Sequence, residues 1–250
     1  MADVFHHQIA KDSQLERHGF QVFRGDRDLW INELRLPFER YLNEELELFS
    51  NSASKGFSLE DYHMMFNDSD PRGHHDFIER VSRVVPSSVI RRDCKYISNI
   101  MGLAEELTSK RFRVFRDLIE FRVVRPNQPD NNLWHRDHWF PYFRPLVNIY
   151  LPLAGSTFDS ALQVVPGSHK WDDEDVVPTH KYGEGRRLGS NGIYYSTPTI
   201  KTCNKELTGH RPDVLEGDFM LFSPLIVHGA GSNMSTHTRF SLEIRLECLE

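Results

Sequence analysis

In the stretch Asn132-Leu-Trp-His135-Arg-Asp137-His-Trp-Phe140, a histidine and a carboxylate stand two residues apart among strand formers. On a β-strand, residues i and i+2 project to the same face. His135 and Asp137 then aim an imidazole nitrogen and a carboxylate oxygen at one point, which a metal ion can fill. A third donor stands far downstream, His228 in Phe222-Ser-Pro-Leu-Ile-Val-His228-Gly-Ala-Gly231. If these segments meet, they do so as neighbouring strands, so the pattern around them bears on the fold.

Upstream of this stretch the chain reads as helical. Leu15 to Arg24 reads as a helix end, a break at Gly19 and a short strand. From Asp28 to Phe49, Leu34, Phe38, Tyr41, Leu42 and Leu46 recur at helical spacing, with Pro37 starting the second part of the helix. Residues 50–75 read as a loop. Asp76–Val85 and Tyr96–Ser109 each carry one apolar helical face. After Lys110 the pattern turns to strands, among them Phe121–Val124, Leu146–Leu153, Leu162–Val165, Phe219–Phe222, Leu225–His228 and Arg239–Leu246. Residues 170–210 are charged and glycine-rich without clear periodicity, as expected of a functional loop or lid, or else of a disordered stretch. Helices followed by short strands with turn signals imply helices packed on an antiparallel barrel or sandwich. The expected organisation is one domain over 1–250: a helical part to about 110, then a β core interrupted by the 170–210 insertion.

The chain has 250 residues, 39% of them hydrophobic, enough for a packed core. Its net charge of −6 disfavours nucleic acid as a partner. The three cysteines, Cys94, Cys203 and Cys248, form neither a zinc spacing nor a disulfide framework, which fits a reducing compartment. Met1 to Phe20 lacks the apolar core of a signal peptide, and no apolar run reaches the length of a membrane span. The expectation is a cytoplasmic protein without integral membrane association. Nothing in the sequence fixes an oligomeric state.

A His-x-Asp pair is weak by itself. The chain has 13 histidines, and His74-His-Asp76 repeats the pattern at a helix start, where i and i+2 diverge. His135 alone reads equally as a buried, hydrogen-bonded histidine. His228, however, is followed by Arg239-Phe-Ser241, whose outer residues share a strand face. A guanidinium fork binds a carboxylate bidentately and a hydroxyl adds a further hydrogen bond, although a surface salt bridge would also account for Arg239. Two histidines and one carboxylate with open positions is the donor set of non-haem Fe(II) oxygenases.

Taken in order, His135-x-Asp137, His228 and Arg239-x-Ser241 resemble the phytanoyl-CoA dioxygenase-like (PhyH) family of Fe(II)/2-oxoglutarate oxygenases. The linking phrases are similar too: Trp134-His-Arg-Asp137, the Phe-Arg-Pro145 segment, Leu162-Gln-Val-Val-Pro-Gly-Ser-His169, Gly217-Asp-Phe-Met-Leu-Phe222 and His228-Gly-Ala-Gly-Ser-Asn-Met-Ser235. The resemblance implies a mainly β fold with flanking helices, a double-stranded β-helix or cupin-like jelly roll. It implies Fe(II) on His135, Asp137 and His228, with 2-oxoglutarate chelating the iron and its far carboxylate on Arg239 and Ser241. O2 would take the remaining position, and oxidation of a substrate C–H bond would release succinate and CO2. Halogenating relatives replace the carboxylate with a small residue, so Asp137 favours hydroxylation over halogenation, with desaturation and ring formation, which use the same triad, left open.

Asn148 and Tyr150 share a face of their strand, and the resemblance places 2-oxoglutarate contacts on the equivalent strand. Arg122, alternating with Phe121 and Val123, is a further cosubstrate candidate; a solvated strand face is the alternative for all three. His138 and Trp139 read as substrate contacts or as structural residues, His169 as a turn residue and His237 as surface. The polar set Arg122, Arg136, His138 and Arg144 suggests a small polar or anionic substrate: a sugar, sugar acid, amino acid or natural-product intermediate. The competing readings are a non-catalytic jelly-roll binding protein and a zinc-type hydrolase on the same ligands. Neither gives a reason for Arg239-x-Ser241.

Overall fold

The computed structural model describes residues 12–50, 56–66, 71–82, 89–91, 93–115, 119–128, 132–140, 146–188 and 194–249. The helix Gln14–His18 is capped by the Ser13 side chain, which accepts from the Glu16 amide, and it ends at Gly19 in the left-handed region (φ 82°). Strand β1 (Phe20–Arg24) follows directly. Arg27–Trp30 and Leu36–Ser50 are α-helical, and between them Ile31–Arg35 forms a π-turn in which the Leu36 amide reaches back to the Ile31 carbonyl. Pro37 supplies the cause. It has no N–H for the Glu33 carbonyl and its ring crowds that oxygen, so the preceding turn widens. Trp30, Leu34, Phe38, Leu42 and Leu46 on this segment are all buried.

Two expectations are corrected here. Within 50–75 lies the 3-10 helix Leu59–Met65, anchored by the fully buried Leu59 and Tyr62. The next helix runs Pro71–Ser82, starting earlier than Asp76, with proline at its first position, where a missing N–H is harmless. The expected end of that helix, with Val84 and Val85, lies outside the described residues, as does the Phe-Arg-Pro145 segment with Arg144. Helix Lys95–Thr108 stops at Ser109 (φ 54°), and its Tyr96, Ile97, Ile100 and Ala104 are buried.

The remaining strands are β2 (Phe112–Val114), β3 (Glu120–Val124), β4 (Leu146–Ala154), β5 (Val176–Pro178), β6 (Arg187–Leu188), β7 (Tyr194–Tyr195), β8 (Ile200–Cys203), β9 (Asp218–Phe222) and β10 (Arg239–Cys248). The main sheet is antiparallel with order β1-β9-β4-β10-β2, and β3 also pairs with β10. One face is apolar and covered by the helices: Ile149, Leu151, Phe219, Leu221, Phe240, Leu242 and Ile244 join Trp30, Phe38, Phe77 and Ile97 in one core. The other face looks into the jelly roll. Register sets its residues side by side: Arg245 beside Asn148, Glu243 beside Tyr150 and Glu120, Ser241 beside Arg122.

The second layer is thinner than expected. Instead of strands at Leu162–Val165 and Leu225–His228, extended segments meet at isolated bridges, His135 with His228 and Val164 with both His210 and His228. Pro166, Gly167 (φ 80°), Pro224 and Gly229 (φ 113°) bound these segments and keep the ladders short. The fold is a jelly roll, mostly β with flanking helices, and no closed barrel is present among the described residues. The 170–210 insertion is more regular than its sequence suggests: β5 pairs with β8 and β6 with β7. Among the described residues no helix is long and apolar enough to cross a membrane.

The half-buried His74 meets the Tyr62 hydroxyl at 2.9 Å. Burial, then the nearby Arg125 charge, lowers its pKa to about 3. The unfolded chain therefore takes up this proton first as pH falls, and stability is lost from the ordinary pKa of 6.5 down towards 3. Between about pH 7 and about pH 5, urea unfolding should show the wild type losing roughly 1–2 kcal/mol more than His74→Gln. Parallel losses would remove His74 from the acid response.

Candidate metal centre

His135 and His228 face each other across the bridge between their segments, with reciprocal backbone hydrogen bonds of 3.0 Å and ring centroids 4.3 Å apart. The expected strand through His135 and Asp137 lasts only to Arg136, which is extended (φ −122°, ψ 135°). Asp137 opens a 3-10 turn, Asp137–Trp139, held by the His138 amide on the Pro224 carbonyl. One extended residue suffices to bring both side chains to the same side. Asp137 Oδ1 lies 3.5 Å from His135 Nε2 and 3.6 Å from His228 Nε2. Gly229 permits the close approach: a Cβ there would lie 2.6 Å from the Asn132 carbonyl oxygen and 2.8 Å from that of Leu133.

The hydrogen bonds fix the protonation pattern. His135 Nδ1 donates to the Leu133 carbonyl at 2.8 Å and His228 Nδ1 to the Ile226 carbonyl at 3.0 Å. In neutral imidazoles both Nε2 atoms then point lone pairs at Asp137 Oδ1. His228 Nε2 and Asp137 Oδ1 are buried with no hydrogen-bond partner among the described residues. Three electron-rich atoms converging in a buried site repel one another unless a proton or a metal ion lies between them. The group, with donor atoms all within 4.8 Å of one another, fits a divalent metal ion.

Asp137 uses its other oxygen differently. Oδ2 accepts from Asn148 Nδ2 at 2.8 Å and from Arg245 Nη2 at 3.2 Å. Burial opposes the charge on Asp137, but Arg245, His228 and His135 outweigh it and hold the carboxyl well below the usual range. Burial also acts against a charged His135, yet the adjacent Asp137 carboxylate prevails and raises its pKa. For His228, burial and then the neighbouring His135 lower it.

Arg239, 1% exposed, donates through Nη1 to the Ser160 carbonyl at 2.8 Å. Ser241 and Tyr150, on the same inner face, bury hydroxyls that have no partner among the described residues, and Asn148 Oδ1 is likewise without one. Arg122 is engaged elsewhere: it pairs with Glu120 and, at 3.5 Å, with Glu243, and receives the Asn132 amide oxygen in the orientation that satisfies both groups. Arg136 points away from the metal site and ties Ser168, Trp171 and Asp173 to this segment. His138 also reaches Asp173, at 3.1 Å, and Trp139 packs in the outer cluster with Trp171 and Ile200. His169 is buried on the Glu16 carbonyl, and His237 is exposed.

Sequence reasoning passed over Glu243 and Arg245. Both are buried, and Arg245 Nη2 lies 3.1 Å from Glu243 Oε2. The available signal was the continued alternation Arg239-x-Ser241-x-Glu243-x-Arg245, a polar stripe on a strand whose intervening residues are all apolar.

The sequence matches the family described as phytanoyl-CoA dioxygenase (PhyH) over residues 40–241. No curated protein matches it by sequence. Similar solved structures include AviO1 from Streptomyces viridochromogenes Tue57, at TM-score 0.52 and 16% identity, covering 93% of this chain and 91% of that one. EvdMO1 gives TM-score 0.53 and 16% identity over 95% of this chain and 49% of that one. The nickel complex of the non-heme monooxygenase ThoJ gives 0.52 and 12% over 94% and 76%. At these identities the likeness is one of fold.

Because the pKa of His135 is raised, an incoming cation must displace its proton at lower pH. Zn(II) or Co(II) affinity should fall as pH drops below that pKa, towards tenfold per unit, with proton release seen by calorimetry in two buffers. Affinity that stays flat as pH falls through the ordinary histidine value of 6.5 would contradict the raised pKa of His135.

Proposed function

The chain belongs to the phytanoyl-CoA dioxygenase (PhyH) family, and from that premise we propose that it is an Fe(II)- and 2-oxoglutarate-dependent hydroxylase of a small polar or anionic metabolite. One observation carries the reading. A buried two-histidine, one-carboxylate group meets the inner face of the sheet where Asp137 contacts Asn148 and Arg245, and that face also carries a buried arginine and two buried hydroxyls without partners among the described residues. The first set suits a divalent metal; the second suits the carboxylate of a small acid. A zinc hydrolase or a binding protein would leave the second set without purpose.

In this reading His135, Asp137 and His228 hold Fe(II). Arg239, Ser241 and Tyr150 receive the far carboxylate of 2-oxoglutarate, with the arginine supplying charge and the hydroxyls direction. Bound there, the iron supplies the O2 chemistry that converts 2-oxoglutarate to succinate and CO2 and leaves one oxygen atom for the substrate C–H bond. The protein fixes where that oxygen is delivered and keeps water from the centre; all three ligands are at most 2% exposed. Asn148 holds Asp137 through Nδ2 and presents its amide oxygen on the same inner face. Arg122 acts one step out, through Glu243. The partly exposed Glu120 and Arg122 put charge on the rim of this face, which suits a sugar, sugar acid, amino acid or natural-product intermediate better than an apolar chain.

His135→Ala, Asp137→Ala and His228→Ala should each abolish iron-dependent succinate formation from 2-oxoglutarate. Arg239→Ala should keep metal binding but raise the KM for 2-oxoglutarate roughly 10- to 100-fold, as expected for loss of a charged hydrogen bond. Full activity in any triad variant would remove that residue from the proposal, and an unchanged KM would remove Arg239.

A further inference from the structure

The geometry points to Asn148 and Arg245 as positioning residues that hold the Asp137 carboxylate so that only Oδ1 reaches the metal. This rests on the metal centre proposed above and assigns a role to two residues that are not themselves ligands. Asp137 sits in a short 3-10 turn between segments, a poor place from which to aim a carboxylate. Nothing in the turn fixes its second side-chain torsion. The sheet does so instead. Asn148 on β4 and Arg245 on β10 are register partners, so their side chains stand side by side on the inner face. Both donate to Oδ2, at 2.8 and 3.2 Å, which leaves Oδ1 as the atom facing both imidazoles.

Arg245 is itself fixed. Nη1 donates to the Glu243 carbonyl oxygen and Nη2 to Glu243 Oε2, each at 3.1 Å. Glu243 in turn pairs with Arg122 at 3.5 Å. The guanidinium therefore cannot swing away from Asp137 without leaving a buried carboxylate uncompensated, which is costly. Its charge also separates Asp137 from Glu243, two buried carboxylates that would otherwise repel. The consequence for the metal is a matter of coordination number. A carboxylate whose second oxygen already accepts two hydrogen bonds binds through one oxygen and leaves a position open. Released from those donors, it can bind through both and close a position that the cosubstrate or O2 requires.

The test uses the intact protein and Co(II), with wild type, Asn148→Val and Arg245→Lys. Melting of the metal-free proteins reports folding, calorimetry reports Co(II) affinity, and the intensity of the visible Co(II) bands reports coordination number. The expected result is metal-free Asn148→Val that melts close to wild type, binds Co(II) about 10- to 100-fold more weakly, and shows altered Co(II) band intensity. Asn148→Ser, which restores a donor hydroxyl, should recover part of the affinity. Arg245→Lys keeps the charge without the fork and should show the same spectral change with a smaller loss, providing the reading if Asn148→Val fails to fold. Wild-type affinity and bands in both Asn148→Val and Arg245→Lys would overturn the inference while leaving the metal centre intact. Failure of the wild type itself to bind one Co(II) would instead overturn the metal centre.

Discussion

Two imidazole nitrogens each lie within 3.6 Å of one carboxylate oxygen in a buried site. In a low-dielectric interior that arrangement demands a proton or a metal ion between its members, and both imidazoles are held in it by backbone carbonyls on their far sides. The bridge between the His135 and His228 segments, the close approach at Gly229 and the donors on Asp137 Oδ2 all serve to maintain that convergence.

What makes the arrangement sustainable is a sheet with two buried faces of opposite character. Along β10, Phe240, Leu242, Ile244 and Leu246 pack on the helices, while Arg239, Ser241, Glu243 and Arg245 face inwards. Apolar burial on the outer face, about 25 cal/mol per Å², supports the cost of ordering charged groups on the inner one. The helices that precede the β core thus do more than cover it. Phe38, on the helix after the π-turn, packs against Phe121 and Phe240, at centroid distances of 4.8 and 6.2 Å, directly behind the polar stripe.

Much of this was legible in the sequence. The shared facing of His135 with Asp137 and of Arg239 with Ser241 is read from strand periodicity, which is short and strict, while joining them to His228 as one site rests on the family resemblance. The helices on Leu34–Leu46 and Ile97–Ala104 are read from apolar recurrence. The rest depends on tertiary context. Periodicity cannot reveal that Asp137 leaves the strand for a turn, since one extended residue gives the same facing. Asn148 looked like a cosubstrate contact because its face was correct, while its amide partner comes from a segment eleven residues earlier. Arg122 was placed on the right face but is claimed by Glu120 and Glu243, carboxylates whose proximity only register reveals. The second layer read as full strands because Val, Ile and Leu favour them, yet the flanking prolines and glycines reduce it to bridges.

The central claim is that one metal ion and 2-oxoglutarate occupy this inner face together. The most direct measurement is the visible spectrum recorded anaerobically as 2-oxoglutarate is added to the Fe(II)-loaded protein. The account predicts a new metal-to-ligand charge-transfer band that saturates at one 2-oxoglutarate per protein and is absent with succinate. Folded protein that binds Fe(II) yet develops no band would contradict it and return the zinc-hydrolase and binding-protein readings to consideration.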